Sequence, residues 1–213
     1  MRQPHDRSLA MDFENNDHLA PNTYYDRHFE KQAVKILPGE YYVTTGDKLI
    51  VTVLGSCVAV CLRDKKNHYG GMNHFLLPND GSNESGLLTE SARYGIYAME
   101  ILINHLLKLG ASKNRLEAKV FGGGNVLRGL TVNNVGKRNA EFVLDYLHNE
   151  SIPVCAQDLL DEYPRKVYFF PDTGKVMVKK LKTVHNTTIF DRESEYRMRV
   201  KYTPKSGDVD LFI

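Results

Sequence analysis

Two apolar runs on either side of a short polar stretch constrain this chain more than any other feature. Residues 57–62 are short, valine-rich and apolar, the pattern of a buried strand. Residues 69–77 are apolar again. Between them Asp64, Lys65, Lys66 and Asn67 form a polar, turn-prone link. The pattern predicts a β-hairpin. With the turn centred between Lys65 and Lys66, Arg63 faces His68, and counting outward Cys57 faces His74. Directly opposed residues in an antiparallel pair share a face, with Cβ atoms ~4.5–5.5 Å apart. A slip of one residue would send the two side chains to opposite faces.

Cysteine and histidine together make an activated thiolate nucleophile. A free thiol of pKa ~8.5 is mostly protonated at neutral pH, and a neighbouring imidazole lowers that value. The thiolate would attack an acyl carbon, and the imidazolium would protonate the leaving group. Backbone N–H groups around Gly55, Ser56 and Cys57 are candidates for an oxyanion hole, and Gly55 lets the chain approach a substrate closely. Thr52, upstream on the entering strand, is placed to orient His74. A buried cysteine more often behaves as a small hydrophobe, so the pattern alone leaves a purely structural pair open.

Four stretches carry a resemblance to a known family: residues 51–60 (VTVLGSCVAV), 71–78 (GMNHFLLP), 117–124 (EAKVFGGG) and 135–139 (VGKRN). In this order, across residues 35–182, the chain resembles the CheD family, the bacterial chemoreceptor glutamine deamidases. The resemblance implies that Cys57 is the nucleophile, His74 the catalytic histidine and Thr52 a third active-site residue. It implies an enzyme that converts specific glutamines of methyl-accepting chemotaxis receptors to glutamate. Some family members also hydrolyse receptor methyl esters. The implied partners are the cytoplasmic helices of chemoreceptors, with a CheC-type phosphatase as a further one. The family also resembles toxins of the cytotoxic necrotizing factor type. Competing readings are a cysteine protease or transglutaminase-like acyl transferase, a non-catalytic regulator that binds receptors or a phosphatase, and a toxin-like deamidase. The lack of an export signal argues against the last.

Composition narrows the field. A chain of 213 residues with 42% hydrophobic content suits one domain with a real core. A formal charge of +2 gives no electrostatic case for nucleic acid or an anionic membrane. The eight histidines are scattered without metal-site spacing. Three cysteines make a closed disulfide framework an unexpected outcome, and Cys61 and Cys155 are expected in the core. With no signal peptide and no long apolar span, a cytoplasmic protein without membrane insertion is expected. Gly122-Gly123-Gly124-Asn125 lacks the lysine and hydroxyl of a P-loop and the spacing of a dinucleotide fingerprint. No cofactor is expected, and these glycines instead make room for substrate or for the hairpin.

The fold class predicted is α+β: layered, mostly antiparallel sheets flanked by two main helices. One helix runs over residues 89–109, with Gly110 as its C′ residue. The second begins near Asn139. Strands are expected at residues 41–44, 48–54, 115–121, 152–156, 166–170 and 175–181. Lys175, Lys179, Lys180 and Lys182 fall on an edge strand facing solvent. Residues 1–32 read as a flexible extension, 33–182 as the deamidase domain and 183–213 as a second extension. Charges alternate over residues 192–199, as on a surface helix, and 208–213 end in an apolar tail. Residues 79–86 form a polar loop that either gates the site or merely connects. Arg138 is either a contact for an acidic receptor residue or simply solvated.

Overall fold

The structure is a computed structural model and describes residues 20, 22–78, 90–126, 135–181 and 187–202. The chain runs β1 (Asn22–Asp26), β2 (Lys31–Lys35), β3 (Tyr41–Thr44), β4 (Leu49–Leu54), β5 (Val58–Asp64) and β6 (Gly70–Asn73). It continues with α1 (Glu90–Lys108), a 3-10 turn (Lys113–Arg115), β7 (Leu116–Gly122), α2 (Val135–Asn149), β8 (Val154–Leu159), β9 (Arg165–Phe170), β10 (Lys175–Lys180) and α3 (Thr187–Tyr202). Two five-stranded sheets form, ordered β1-β2-β4-β9-β10 and β3-β6-β5-β7-β8. Among the described residues, only the pairs β2–β4 and β7–β8 are parallel. This is the layered, mostly antiparallel α+β arrangement that the sequence predicts.

Alternation along β4 and β5 builds the layers. Ile50 and Leu54 of β4 meet Cys57, Ala59 and Cys61 at the start of and along β5, and Met72 and Leu76 join them between the sheets. Val58, Val60 and Leu62 point the other way, onto Met99, Leu102 and Leu106 of α1 and Val143 and Leu147 of α2. Each fully buried valine, leucine, isoleucine or methionine among them stabilises the fold by ~1.5–3 kcal/mol relative to exposure. At the end of α1, Gly110 takes a φ of +98°, and the Ala111 N–H returns to the Leu106 carbonyl at 3.0 Å.

The hairpin forms, but in a register different from the predicted one. Arg63 pairs with Gly70, Leu62 with Gly71 and Cys61 with Met72, and a bridge joins Val58 to Phe75. Carried outward, Cys57 faces Leu76 and His74 faces Ala59. The cause is Asp64. The sequence reads it as the first turn residue, but it is the last residue of β5 and fully buried. Its Oδ1 accepts from the Lys66 and Asn67 N–H groups at 2.9 and 3.1 Å, and its backbone N–H donates to Tyr69 at 2.8 Å. His68 closes the turn at a φ of +60°. The turn thus moves one residue along and the pairing moves two. A shift of two preserves the face, so Cys57 and His74 remain on the same side of the sheet.

Other departures have local causes. Residues 22–35, most of them assigned to the polar extension, make the hairpin β1–β2. Its backbone ladder is invisible to apolar periodicity because β1 is largely exposed. Helix α2 begins at Val135, four residues before Asn139, with Gly136 pressed against the Gly123 carbonyl. Cys61 is buried as expected, but Cys155 is exposed on β8. Lys175, Lys179 and Lys180 are exposed on the edge strand β10, while Lys182 lies outside the described residues. So do the loop 79–86 and the tail 208–213.

Asp64 ties the turn to the neighbouring strand through Arg115, whose Nη2 lies 2.8 Å from Oδ2, and through the Ser112 N–H at 2.9 Å. Burial alone would raise its pKa. The Arg115 guanidinium and the N–H groups of Asn67, Ser112 and Lys66 outweigh burial and hold the carboxyl well below the usual carboxylate range. Asp64→Ala is expected to lower unfolding free energy by about 1–3 kcal/mol, because the Lys66, Asn67 and Ser112 N–H groups lose their acceptor while the partly exposed Arg115 returns to water. Guanidinium unfolding of the wild-type and variant proteins checks it.

Candidate active site

The three residues Gly55, Ser56 and Cys57 carry the chain from β4 in one sheet to β5 in the other. Their carbonyls are all held from behind. Gly124 donates its N–H to the Gly55 carbonyl at 2.8 Å, and Gly123 donates to Cys57 at 2.7 Å. Asn139 Nδ2 donates to the Ser56 carbonyl at 2.8 Å, while its Oδ1 accepts from the Leu77 N–H at 3.0 Å. Gly122 has a φ of +112°, and a Cβ there would lie 2.2 Å from the Cys57 oxygen. Only glycine permits that approach. The glycine run therefore makes room for the hairpin, one of the two uses the sequence suggests. Arg165, fully buried beside Leu54, supports it by donating to the Gly122 carbonyl at 3.3 Å.

With the carbonyls tied back, the three N–H groups point forward together. All three meet the carboxylate of Glu193 on α3: Gly55 at 2.9 Å, Ser56 at 3.1 Å and Cys57 at 3.1 Å. Ser56 Oγ also donates to it at 2.6 Å. Glu193 is 5% exposed. A converging set of backbone donors around one oxyanion is the geometry of an oxyanion hole.

His74 approaches from β6's end and faces the space between the sheets. Thr52, on the inner face of β4, donates its hydroxyl to the Ile36 carbonyl at 2.9 Å. Its oxygen is then left to accept from His74 Nδ1, 2.7 Å away. This pair of bonds puts the ring proton on Nδ1 and leaves the Nε2 lone pair open. Nε2 is buried and has no hydrogen-bond partner among the described residues. Burial lowers the His74 pKa, against the opposing pull of the Glu193 charge and the Ile36 carbonyl, so the ring is neutral at neutral pH. In the observed register Cys57 and His74 are diagonal neighbours on one face, a spacing of ~7–8 Å between backbones that side chains can bridge. Both border Glu193. A cavity of about 40 Å³ borders His74 and is walled also by Glu40, Tyr41, Tyr94 and Tyr97. Burial pushes the Tyr94 phenol up, Arg199 opposes that rise and Cys57 adds to it.

The structure thus gathers the predicted Gly55, Ser56 and Cys57 about Glu193 and joins the predicted Thr52 to His74, whose ring feels the Glu193 charge. Arg138 does not face outward for an acidic partner; it donates to the Leu77 carbonyl at 3.3 Å and to the Pro78 carbonyl. Two important residues escaped the sequence reading. Asn139 was visible only as a helix start, although it closes the fourth motif. Glu193 is lost in the charge alternation of residues 192–199, and no local pattern distinguishes it.

The family model described as CheD chemotactic sensory transduction matches residues 76–180. A relative in Shewanella oneidensis named "Probable chemoreceptor glutamine deamidase CheD 1" is 71% identical over 192 residues, covering 90% of this chain and 93% of that one. The chain belongs to the CheD family. A second CheD relative, of the same printed name in Dechloromonas aromatica, is 63% identical, covering 93% of this chain and 98% of its own. Among solved structures, the hypothetical protein YfiH of Bacillus licheniformis matches with a TM-score of 0.40 at 13% identity, over 68% of this chain and 63% of that one. That likeness is too slight to inform the site. No helix among the described residues is long and apolar enough to cross a membrane.

Two predictions follow from the packing of this site. His74 is depressed in the folded state from an ordinary value of 6.5. Its contribution to stability is complete above that pH and is lost as pH falls below it, by up to about 1.4 kcal/mol per pH unit. His74→Gln is expected to flatten the stability profile between neutral pH and mild acid, read by urea unfolding across that window. Asn139→Ala orphans the Ser56 carbonyl and the Leu77 N–H, at about 1–3 kcal/mol each, which a lowered denaturation midpoint would report.

Proposed function

We propose that this chain hydrolyses the side-chain amides of specific glutamines on the cytoplasmic helices of chemoreceptors, giving glutamate and ammonia. The observation that carries the reading is the forward-pointing triad of N–H groups at Gly55, Ser56 and Cys57, set beside a thiol and an open imidazole nitrogen. The names of the CheD relatives, chemoreceptor glutamine deamidases, support the substrate.

His74 Nε2 takes the Cys57 proton. The thiolate attacks the carboxamide carbon, and negative charge moves to the amide oxygen. The N–H groups of Gly55, Ser56 and Cys57 stabilise that oxyanion without reorganising, since the turn is already held by the bonds to its carbonyls. His74 then gives its proton to the departing nitrogen, and ammonia leaves. The remaining thioester is attacked by water, with His74 Nε2 accepting the water's proton and returning it to sulfur. Water is consumed, one ammonia is released and the side chain ends as a carboxylate. Thr52 keeps the correct nitrogen of His74 available at each step. A neutral amide becomes a negative charge on a receptor helix, a local electrostatic change suited to biasing a signalling state. The proposal places the protein in the cytoplasm. A CheC-type phosphatase as a second partner rests on the family resemblance alone, as does any methylesterase activity.

Incubation of receptor cytoplasmic peptides with wild-type protein is expected to release ammonia and to convert particular glutamines to glutamate by mass spectrometry. Cys57→Ala is expected to lower the rate at least about a thousandfold, the scale on which loss of a nucleophile acts. Ammonia release at the wild-type rate by this variant would end the proposal. Peptide cleavage or amine incorporation would instead indicate a protease or acyl transferase.

A further inference from the structure

The oxyanion hole is filled by the chain itself. Glu193 is the side chain that the proposed reaction yields, a glutamate, and it is carried on a helix, α3. Its two carboxylate oxygens take the Gly55, Ser56 and Cys57 N–H groups and the Ser56 hydroxyl. A substrate carbonyl needs the same three N–H groups. The two cannot be bound together.

The fit extends along the helix. One turn past Glu193, Tyr196 is 5% exposed and lies flat over Gly39, where a Cβ would come within 2.4 Å of its ring. Arg199 continues the same face, with Nη2 3.4 Å from the Pro38 carbonyl and its guanidinium 5.3 Å from the Tyr196 ring centre. Gly55 is shaped to this contact as well, since a Cβ there would meet a Glu193 oxygen at 2.9 Å. The segment Pro38–Gly39 runs directly into His74, through the Gly39 N–H bond to the His74 carbonyl at 2.7 Å. Thus α3 bears on both the nucleophile turn and the histidine strand. Its charge adds an electrostatic effect. A carboxylate held at the Cys57 N–H disfavours a second negative charge on the neighbouring sulfur.

We propose that α3 is a built-in competitor of the substrate, lodging Glu193 as a product-like carboxylate in the oxyanion hole and closing the site until the helix undocks. The proposal rests on the deamidase reading for the identity of the competing ligand. The occlusion itself rests on the contacts alone. The enzyme is then expected to exist in a closed form, as seen here, and an open form in which the turn is bare and the thiol is within reach of a reagent. A substrate helix binds only the open form, so its apparent affinity falls with the open fraction.

The test uses the full chain. Alkylation of Cys57 by iodoacetamide, read by peptide mass spectrometry, is compared with release of ammonia from receptor peptides. Glu193→Ala is expected to speed both by roughly tenfold, the gain when a closed form holds about nine-tenths of the molecules. Tyr196→Ala removes packing without touching the carboxylate and is expected to act in the same direction, which covers the case in which the first variant does not fold. In Glu193→Gln the hole receives a carboxamide, so a slow, Cys57-dependent conversion of position 193 back to glutamate further supports the proposal. Alkylation of the folded variants at the wild-type rate, with wild-type protein active on receptor, would overturn the competitor role and leave the deamidase reading intact. Faster alkylation with no ammonia from any protein would overturn the deamidase reading while the occlusion stood.

Discussion

The turn from Gly55 to Cys57 depends on being gripped from behind. Peptide N–H and C=O groups point in nearly opposite directions, so fixing a carbonyl also aims the adjoining N–H. Here Gly123, Gly124 and Asn139 each take one carbonyl of the turn. Holding the Gly55 and Ser56 carbonyls thereby aims the Ser56 and Cys57 N–H groups, which converge with that of Gly55 on one point in front. A flexible loop would have to order three peptides during each reaction, whereas this one has ordered them during folding. That is why a strand end with three successive glycines and a helix-borne asparagine matter to chemistry they never touch.

The same economy governs the histidine. Thr52 belongs to one sheet and His74 to the other, so the bond between them exists only when the sheets are stacked. The Ile36 carbonyl consumes the threonine proton, and the ring is left with one possible tautomer. Sheet packing thereby sets the protonation pattern of His74. A hydrophobic layer of Ile50, Leu54, Ala59, Cys61, Met72 and Val167 around the site lowers the imidazole pKa by desolvation and supplies the rigidity.

The hairpin was legible because valine-rich runs and a polar turn are local signals. Its register was not, because Asp64 has two identities. By type it is a turn former. In place it is a buried strand residue whose charge is met by Arg115, 51 positions away. The prediction that Cys57 and His74 share a face survived because the error was even, and an odd error would have failed. The donors Gly55, Ser56 and Cys57 were visible as a glycine beside a nucleophile, but their grip was not, since Asn139 lies 83 positions from Ser56. β1 was missed for a different reason: its order comes from the backbone ladder to β2, not from a buried face.

Glu193 is the furthest from anything a local pattern can reveal, and it also raises the sharpest energetic question. Removing a carboxylate from water is costly unless donors replace the lost hydration. Four donors do so here, all from residues 55–57. Those donors are charge-neutral, so the site solvates an anion without neutralising it, which is also what a transient tetrahedral oxyanion requires. A hole preorganised to hold developing negative charge cannot distinguish that charge from a permanent carboxylate of similar shape. Some affinity for its own product is therefore inherent in this geometry. A helix that presents a glutamate from the same chain turns that unavoidable affinity into a means of closing the site.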